Sequence, residues 1–380
     1  MRIGIEAQRL YRKNKHGMDI VALELIKGLQ KVDKENEYFI FIKEDEDKQI
    51  LEATDNFHLV ELSSSVYPIW EQYTLPKAVK EYKIDLLHCT ANTAPLKVDV
   101  PLVVTVHDII FLEHINLKKG TWYNRIGNLY RRWIVPKLID KCAMITTVSD
   151  YEKENIKNYF KLDDSNIQTI HNGVGTHFRP ISDNNELSNI RSKYSLPERF
   201  ILAFGNQDPR KNFANNLDAY VKVRRAGHDI KLVVTDVKDS YLDGLLQSMD
   251  ATDLATDIVK LGYVPNRDLP YIYNLAEIFV FPSTRESFGI PVLESMGCGT
   301  PVVSSETSSI PEIAGDAAIL VSPYKSDEIF EGVRKLLENK DLYADMREAS
   351  IARAPLFSWE ASARKSVEMY QSVYNKSKAS

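Results

Sequence analysis

Glu286 and Glu294 stand in the segment of this chain whose residue types point most directly to chemistry. The segment reads Phe281-Pro-Ser-Thr-Arg-Glu-Ser-Phe-Gly-Ile-Pro-Val-Leu-Glu-Ser-Met-Gly-Cys-Gly-Thr-Pro-Val-Val-Ser304. A strand ending at Phe281 gives way to a loop. Pro291 suits the first turn of a helix, and Gly297 or Gly299 its end. Thr300-Pro301 starts the next strand. Glu286 then falls in the loop and Glu294 in the first turns of the helix, so both can face one cleft. A carboxylate accepts hydrogen bonds from adjacent hydroxyls, which a sugar or a ribose offers. Gly289 lets a ligand approach the backbone closely. The free N–H groups at the helix start favour an anion such as a phosphate.

The elements that must position these groups follow a repeating rhythm. In the first half, short β-branched runs at 3–5, 38–42, 86–89, 103–106 and 144–148 alternate with helical patterns such as 20–29. The second half restarts the rhythm, with strands at 200–204, 231–235, 258–261, 278–281, 301–304 and 318–321 and a helix at 216–226. This β–α–β order predicts an α/β chain of two doubly wound, Rossmann-like domains, with ligands in a crevice between their strand ends. Residues 171–197 carry Asn172-Gly173, Gly175, Pro180 and the polar run 182–189, and read as loop and linker. The expected division is 1–180, an acceptor-side domain, and 181–360, a donor domain.

The 281–304 segment resembles the Glu-x7-Glu signature of the retaining nucleotide-sugar glycosyltransferases of family 4, which have the GT-B fold. Other segments resemble the same family, in order along the chain. They are the first strand, loop and helix, Val103-Val-Thr-Val-His-Asp108, Thr147-Val-Ser-Asp150, Ile170-His-Asn-Gly-Val174, Phe204-Gly-Asn-Gln-Asp-Pro-Arg-Lys-Asn212, Leu261-Gly-Tyr-Val264 and Ile310-Pro-Glu-Ile-Ala-Gly-Asp316. The resemblance implies that Glu286 contacts the donor sugar and Glu294 the nucleotide ribose. It places the backbone of Phe288, Gly289 and Ile290 near the sugar and phosphates. It places His107 at the donor sugar, with Asp108 orienting it or binding acceptor. It implies a C-terminal helix, about 361–380, that returns to the first domain.

Arg210 and Lys211, after the Gly205 turn and the Pro209 bend, can neutralise a diphosphate leaving group, Lys as a point charge and Arg as a fork. The expected catalytic set is therefore His107, Glu286 and Lys211. The expected donor set is Arg210, Lys211, Phe288, Gly289, Ile290, Glu294, Gly205 and Gly17, with Asp108 and His16 on the acceptor side. The chain departs from the family twice. Asn206 stands where many members carry arginine, and the first loop keeps only Gly17 where they commonly have a glycine pair.

No cofactor or metal is expected. Asp45-Glu46-Asp47 is a literal DxD, but its neighbours Lys43 and Lys48 mark a solvated turn. The stretch from Lys118 to Lys141 is basic and aromatic, with Arg125, Arg131, Arg132, Lys137, Trp122, Tyr123, Tyr130 and Trp133. It suits an anionic membrane surface, or else an ordinary helix with a solvated basic face. The net charge of −5 excludes a general nucleic-acid coat. Cys89, Cys142 and Cys298 are odd in number and form no CxxC, so three reduced thiols are expected. The start Met1-Arg2-Ile3-Gly4-Ile5 lacks a signal-peptide pattern. A cytoplasmic enzyme, peripheral at the inner membrane face, is expected. It would move a hexose, with mannose from GDP-mannose as first choice, to a glycan or lipid-linked acceptor in surface-polysaccharide assembly. The alternatives are a nucleotide-sugar epimerase of the same fold and a non-catalytic binding module. A dehydrogenase is disfavoured because no GxGxxG follows the first strand.

Overall fold

The structure, a computed structural model, describes all residues except Asn14, His16, Ser65, 114–121 and Ser380; the side chains of 122–126 also lie outside the description. Within the described residues the chain forms two compact units. One comprises Met1–Gly173 with Trp359–Ser380, the other Val174–Ser358.

The first unit is built on a seven-stranded parallel sheet. Its strands are β1 (Arg2–Glu6), β2 (Glu37–Ile42), β3 (Phe57–Glu61), β4 (Leu86–Cys89), β5 (Leu102–Thr105), β6 (Met144–Thr147) and β7 (Ile167–Thr169), in the order β3-β2-β1-β4-β5-β6-β7. Side chains alternate between two faces, as strand geometry requires. Ile3, Ile5, Tyr38, Ile40, Leu86 and Val103 pack against Leu23, Ile26 and Leu29 of the first helix, Gly17–Val32. Met369, Tyr370 and Val373 of the last helix, Trp359–Ala379, join the same cluster. The other face sets Phe39, Phe41, Leu87 and Val104 against Trp70, Leu75, Ile134, Val135 and Leu138. The last helix thus belongs to the first unit, as the family resemblance implies.

The second unit repeats the plan with six parallel strands. They are β8 (Phe200–Phe204), β9 (Lys231–Thr235), β10 (Ile258–Leu261), β11 (Ile278–Phe281), β12 (Val302–Ser305) and β13 (Ile319–Val321), ordered β10-β9-β8-β11-β12-β13. In both sheets the first strand of the unit lies inside, and the order reverses beside it. Such a switch point leaves the loops after two neighbouring strands diverging, and ligands settle there. The two junctions are β1/β4 and β8/β11.

Two edge strands, β3 and β7, have no counterpart among the sequence expectations. Both are short, and their polar residues (His58 and Glu61; Gln168 and Thr169) blur the alternation. The polar run read as linker is instead the start of a helix, Asn184–Lys193. Asp183 caps it, accepting from the amides of Asn185 at 2.8 Å and Glu186 at 3.3 Å. The Asp-x-x-Glu spacing of such a start is legible in the sequence. The apolar periodicity that would draw attention to it is reduced to Leu187 and Ile190.

Candidate functional site

The β8/β11 junction brings the loops that follow these two strands together. β8 ends at Phe204, and Gly205 turns the chain. A Cβ on Gly205 would lie 2.4 Å from Val234 Cγ1, so close packing against β9 demands glycine here. Its amide donates to the Thr235 carbonyl at 2.8 Å. Asn206 Oδ1 accepts from the Asp208 amide at 2.8 Å and shapes the loop. Asp208 in turn caps the short 3-10 turn Pro209–Lys211. Asn212 follows in the left-handed region, φ 57°. Its Nδ2 donates to the Pro282 carbonyl at 2.9 Å. The Arg210 carbonyl accepts from the Thr284 amide at 2.7 Å and from the Ser283 hydroxyl at 2.8 Å. The two loops are therefore laced together by backbone groups, and Asn212 is a positioning residue that spacing alone does not reveal.

This lacing sets Lys211 Nζ 2.7 Å from Glu286 Oε1, in a mostly buried ion pair. The ammonium also lies 5.2 Å from the Phe281 ring centroid. Arg210 points elsewhere and grips Asp208, its Nε 3.1 Å from each carboxylate oxygen. Lys211 and Glu286 are thus brought together, while Arg210 is held by its own neighbour.

Beyond Glu286 the chain reaches Gly289, φ 105°, which opens the helix Ile290–Gly297 with no side-chain cap. The positive φ favours glycine, and a Cβ there would also press on the tip of Ile310, 2.6 Å from its Cδ1. The Ser309 hydroxyl donates to the carbonyls of Glu286 at 3.0 Å and Phe288 at 2.9 Å, fixing the approach to the helix. Ser308 accepts from the Glu286 amide at 3.1 Å. Phe288 buries its ring against Phe357. Glu294, one turn into the helix, accepts from the Tyr273 hydroxyl at 3.2 Å. Burial pushes its carboxyl up to about 8.

In the first unit, His107 follows β5. Its Nε2 lies 2.8 Å from the Thr90 carbonyl, and its amide donates to Asn92 Oδ1 at 2.7 Å. A carbonyl only accepts, so Nε2 carries the proton and Nδ1 keeps its lone pair. Burial lowers the affinity of the ring for a second proton. Asp108 accepts from the Ile110 amide at 3.1 Å and starts the helix Ile110–Glu113. Gly17 is the exposed first residue of its helix, with open space where a Cβ would go. His16 lies outside the described residues. His88, a second buried histidine, sits between Tyr370 Oη at 2.7 Å and Thr105 Oγ1 at 2.8 Å, and burial drives it down to about 3. It ties the last helix to the sheet.

Of the DxD, Asp47 pairs with Lys15 at 2.6 Å and Asp45 accepts from the Glu46 amide at 2.8 Å, while the intervening Glu46 lies 3.4 Å from Lys13. Of the basic stretch, Lys118 and Lys119 lie outside the described residues. Tyr130 turns inward and donates to Glu71, while Trp133, 52% exposed, stays at the surface under Lys137, whose Nζ is 3.8 Å from the ring. Leu129 is exposed beside it. Val66, Ile69 and Tyr73 expose a second apolar stripe on the helical segment that Tyr130 bonds through Glu71 and Gln72. No helix among the described residues is long and apolar enough to cross a membrane. The three cysteines are unbridged.

Comparison with known proteins gives two family matches. Residues 188–353 match the family described as glycosyl transferases group 1, and residues 16–178 match Glycosyltransferase Family 4. O-antigen chain mannosyltransferase B of Escherichia coli is 29% identical over 296 residues, covering 77% of this chain and 76% of that protein. The serotype-specific mannosyltransferase WbdA of E. coli is 27% identical over 245 residues, 63% of this chain but only 30% of WbdA. The chain thus spans under a third of WbdA. Among solved structures, Anabaena HepE in complex with UDP and glucose superposes with a TM-score of 0.75 at 18% identity, covering 98% of this chain and all (100%) of that one. WaaG, a glycosyltransferase involved in lipopolysaccharide biosynthesis, gives 0.71 at 14% identity, with 97% and 99% covered. These two establish the fold that this chain shares.

Proposed function

Because the chain belongs to glycosyltransferase family 4, we propose that this glycosyltransferase moves a hexose, with retention, from a nucleotide-diphospho-sugar to a glycan or lipid-linked acceptor in surface-polysaccharide assembly. Mannose from GDP-mannose is the first donor to test, since similar proteins are named mannosyltransferases. The observation that carries the reading is the Lys211–Glu286 pair at the β8/β11 junction, next to the uncapped helix start at Gly289. A cation, a carboxylate and the positive end of a helix meet where a sugar diphosphate needs all three.

In this reading Lys211 leaves Glu286 for the donor phosphates and stabilises the charge that grows on them as the glycosidic bond breaks. Arg210 and the helix amides add to that field. Glu286 accepts from sugar hydroxyls, and Glu294 from the ribose. The neutral His107 offers Nδ1 to a hydroxyl of the donor sugar. The departing phosphate takes the acceptor proton on the same face. Charge neutralisation by side chains makes a metal unnecessary, and the pairing of Asp47 with Lys15 fits that role division. The exposed Trp133 and Leu129 with the neighbouring basic side chains suit docking on an anionic membrane surface, at the cytoplasmic face.

The test is a thermal-shift screen against GDP, UDP, ADP and their sugars, followed by turnover with the stabilising donor in chelator. Stabilisation by one nucleotide and chelator-resistant transfer are expected, with transfer lost in Glu286→Ala. Donor isomerisation without an acceptor would identify an epimerase. Nucleotide binding with no turnover would identify a binding module. Activity lost in chelator and restored by magnesium would overturn metal independence.

A further inference from the structure

Ten large apolar side chains are exposed among the described residues, and five of them lie on two segments of the first unit. One segment is a continuous helical rod, Tyr67–Glu81, whose middle turn, Trp70–Thr74, is π-helical. Its inner face sends Trp70, Leu75, Ala78 and Val79 into the core of that unit. Its outer face starts at Val66, just before the rod, and runs through Ile69, Tyr73, Lys77 and Lys80. Spacings of three and four keep such residues on one side of a helix. Val66, Ile69 and Tyr73 are 50%, 47% and 74% exposed. Lys77 and Lys80 are exposed too, and neither forms an ion pair with a described residue. The row holds no acid, so it is apolar at one end and basic at the other.

The second segment is the helix Trp122–Leu138. It turns Ile134, Val135 and Leu138 inward and Leu129 and Trp133, four residues apart, outward. The two segments are fixed to each other. The rings of Tyr67 and Tyr130 meet edge-on at 5.9 Å, and Gln72 Nε2 donates to the Tyr130 hydroxyl at 2.9 Å. The buried Glu71 accepts from the hydroxyls of Tyr67 at 2.5 Å and of Tyr130. It also accepts from Thr93, which follows the Asn92 that holds the His107 amide. One carboxylate thus ties both helices to the loop that positions the histidine.

We propose that the outer faces of these two helices form a single platform that docks on an anionic bilayer. Val66, Ile69, Tyr73, Leu129 and Trp133 enter the boundary between headgroups and acyl chains, and Lys77 and Lys80 meet lipid phosphates. The proposal extends the docking reading of the helix Trp122–Leu138 to a second element and rests on that reading. Single exposed apolar side chains are ordinary, but five on two adjoining helices make a patch that calls for a partner. Tryptophan, tyrosine and aliphatic groups bordered by lysine and arginine are the make-up of a helix lying in a membrane interface. Charge selects the same occupant. The chain carries −5 overall, so an anionic surface repels most of it and attracts the face where Lys77, Lys80, Arg131, Arg132 and Lys137 gather.

The test is co-sedimentation of the full chain with phosphatidylglycerol–phosphatidylcholine vesicles, titrated in lipid. Nucleotide affinity and melting temperature are read on the same samples. Ile69→Ser with Tyr73→Ser is expected to weaken vesicle binding about tenfold or more, the scale of withholding one aliphatic side chain from an apolar phase. Lys77→Glu with Lys80→Glu is expected to weaken it comparably and to flatten its dependence on salt. Nucleotide affinity and melting temperature stay unchanged in both. Unchanged vesicle binding in either variant would overturn the platform. If Arg131→Glu with Arg132→Glu still abolished binding in that case, docking by the second helix alone would stand. No vesicle binding by the wild type would overturn both. A wild-type dimer that ignores vesicles and becomes monomeric in the serine variant would give the face to a second copy and overturn the bilayer. If the serine variant loses melting temperature, the lysine variant decides alone. Vesicle binding that depends on both pairs in a chain that transfers no sugar would sink the enzyme reading and leave the platform standing.

Discussion

Lys211 and Glu286 neutralise each other at 2.7 Å, so under the proposed function a diphosphate competes with that carboxylate for the ammonium. Glu286→Gln removes the competitor. Nucleoside diphosphate affinity, read by calorimetry, is expected to hold or rise, while transfer falls about a hundredfold with the sugar contact. Lys211→Ala should lose both affinity and about 10²–10³ in kcat, the range for losing one preorganised charge-stabilising group. Parallel losses of affinity in the two variants would contradict this division of roles. Glu294 yields a pH prediction. Its carboxyl sits at about 8 in the folded chain against an ordinary 4.5, because burial disfavours the charge. Folding therefore favours the protonated form. The destabilisation is absent below about 4.5, grows as pH rises, and levels off above about 8. Relative to Glu294→Gln, the wild type should lose melting temperature across that window, and a flat difference would refute it. If ribose hydroxyls bind the ionised carboxylate, nucleotide binding at neutral pH releases a proton, measurable as a buffer-dependent binding enthalpy.

At the scale of elements, the approach to the helix Ile290–Gly297 depends on one backbone angle. Gly289→Ala meets both the positive φ and the Ile310 contact, so it should cost roughly 1–3 kcal/mol in denaturant unfolding and weaken nucleotide binding as the helix start shifts. The helix Trp122–Leu138 carries the membrane question. Arg131→Glu with Arg132→Glu should abolish sedimentation with phosphatidylglycerol vesicles and leave phosphatidylcholine controls unchanged. Sedimentation indifferent to both substitutions would discard the docking surface. Elements with strong periodicity were legible from residue order, the central strands above all. The edge strands β3 and β7 and the helix Asn184–Lys193 were not, because exposed faces admit polar residues that erase the pattern. Glu286, Lys211 and Gly289 were legible as a motif. Asn212, Ser308 and Ser309 were not, since their work is to bond backbone carbonyls and amides of loops remote in sequence.

For the whole molecule, the last helix closes the first unit's core, and Tyr370 shares a buried hydrogen bond with His88. Tyr370→Phe leaves the ring nitrogen unpaired and should cost about 1–3 kcal/mol. Nucleotide binding, which the donor reading assigns to the unit Val174–Ser358, should be unchanged. A loss of nucleotide affinity in that variant would contradict the assignment. The sequence by itself determined the repeated β–α–β plan and the order of the motif segments, because hydrophobic period and turn chemistry are local properties. It could not determine which distant groups meet. Only the tertiary structure set Lys211 on Glu286, since two loops some seventy residues apart are laced by backbone hydrogen bonds at a strand-order reversal. Only it joined Tyr370 of the last helix to His88 of β4 in a buried hydrogen bond, because burial and pairing arise from the packed sheet.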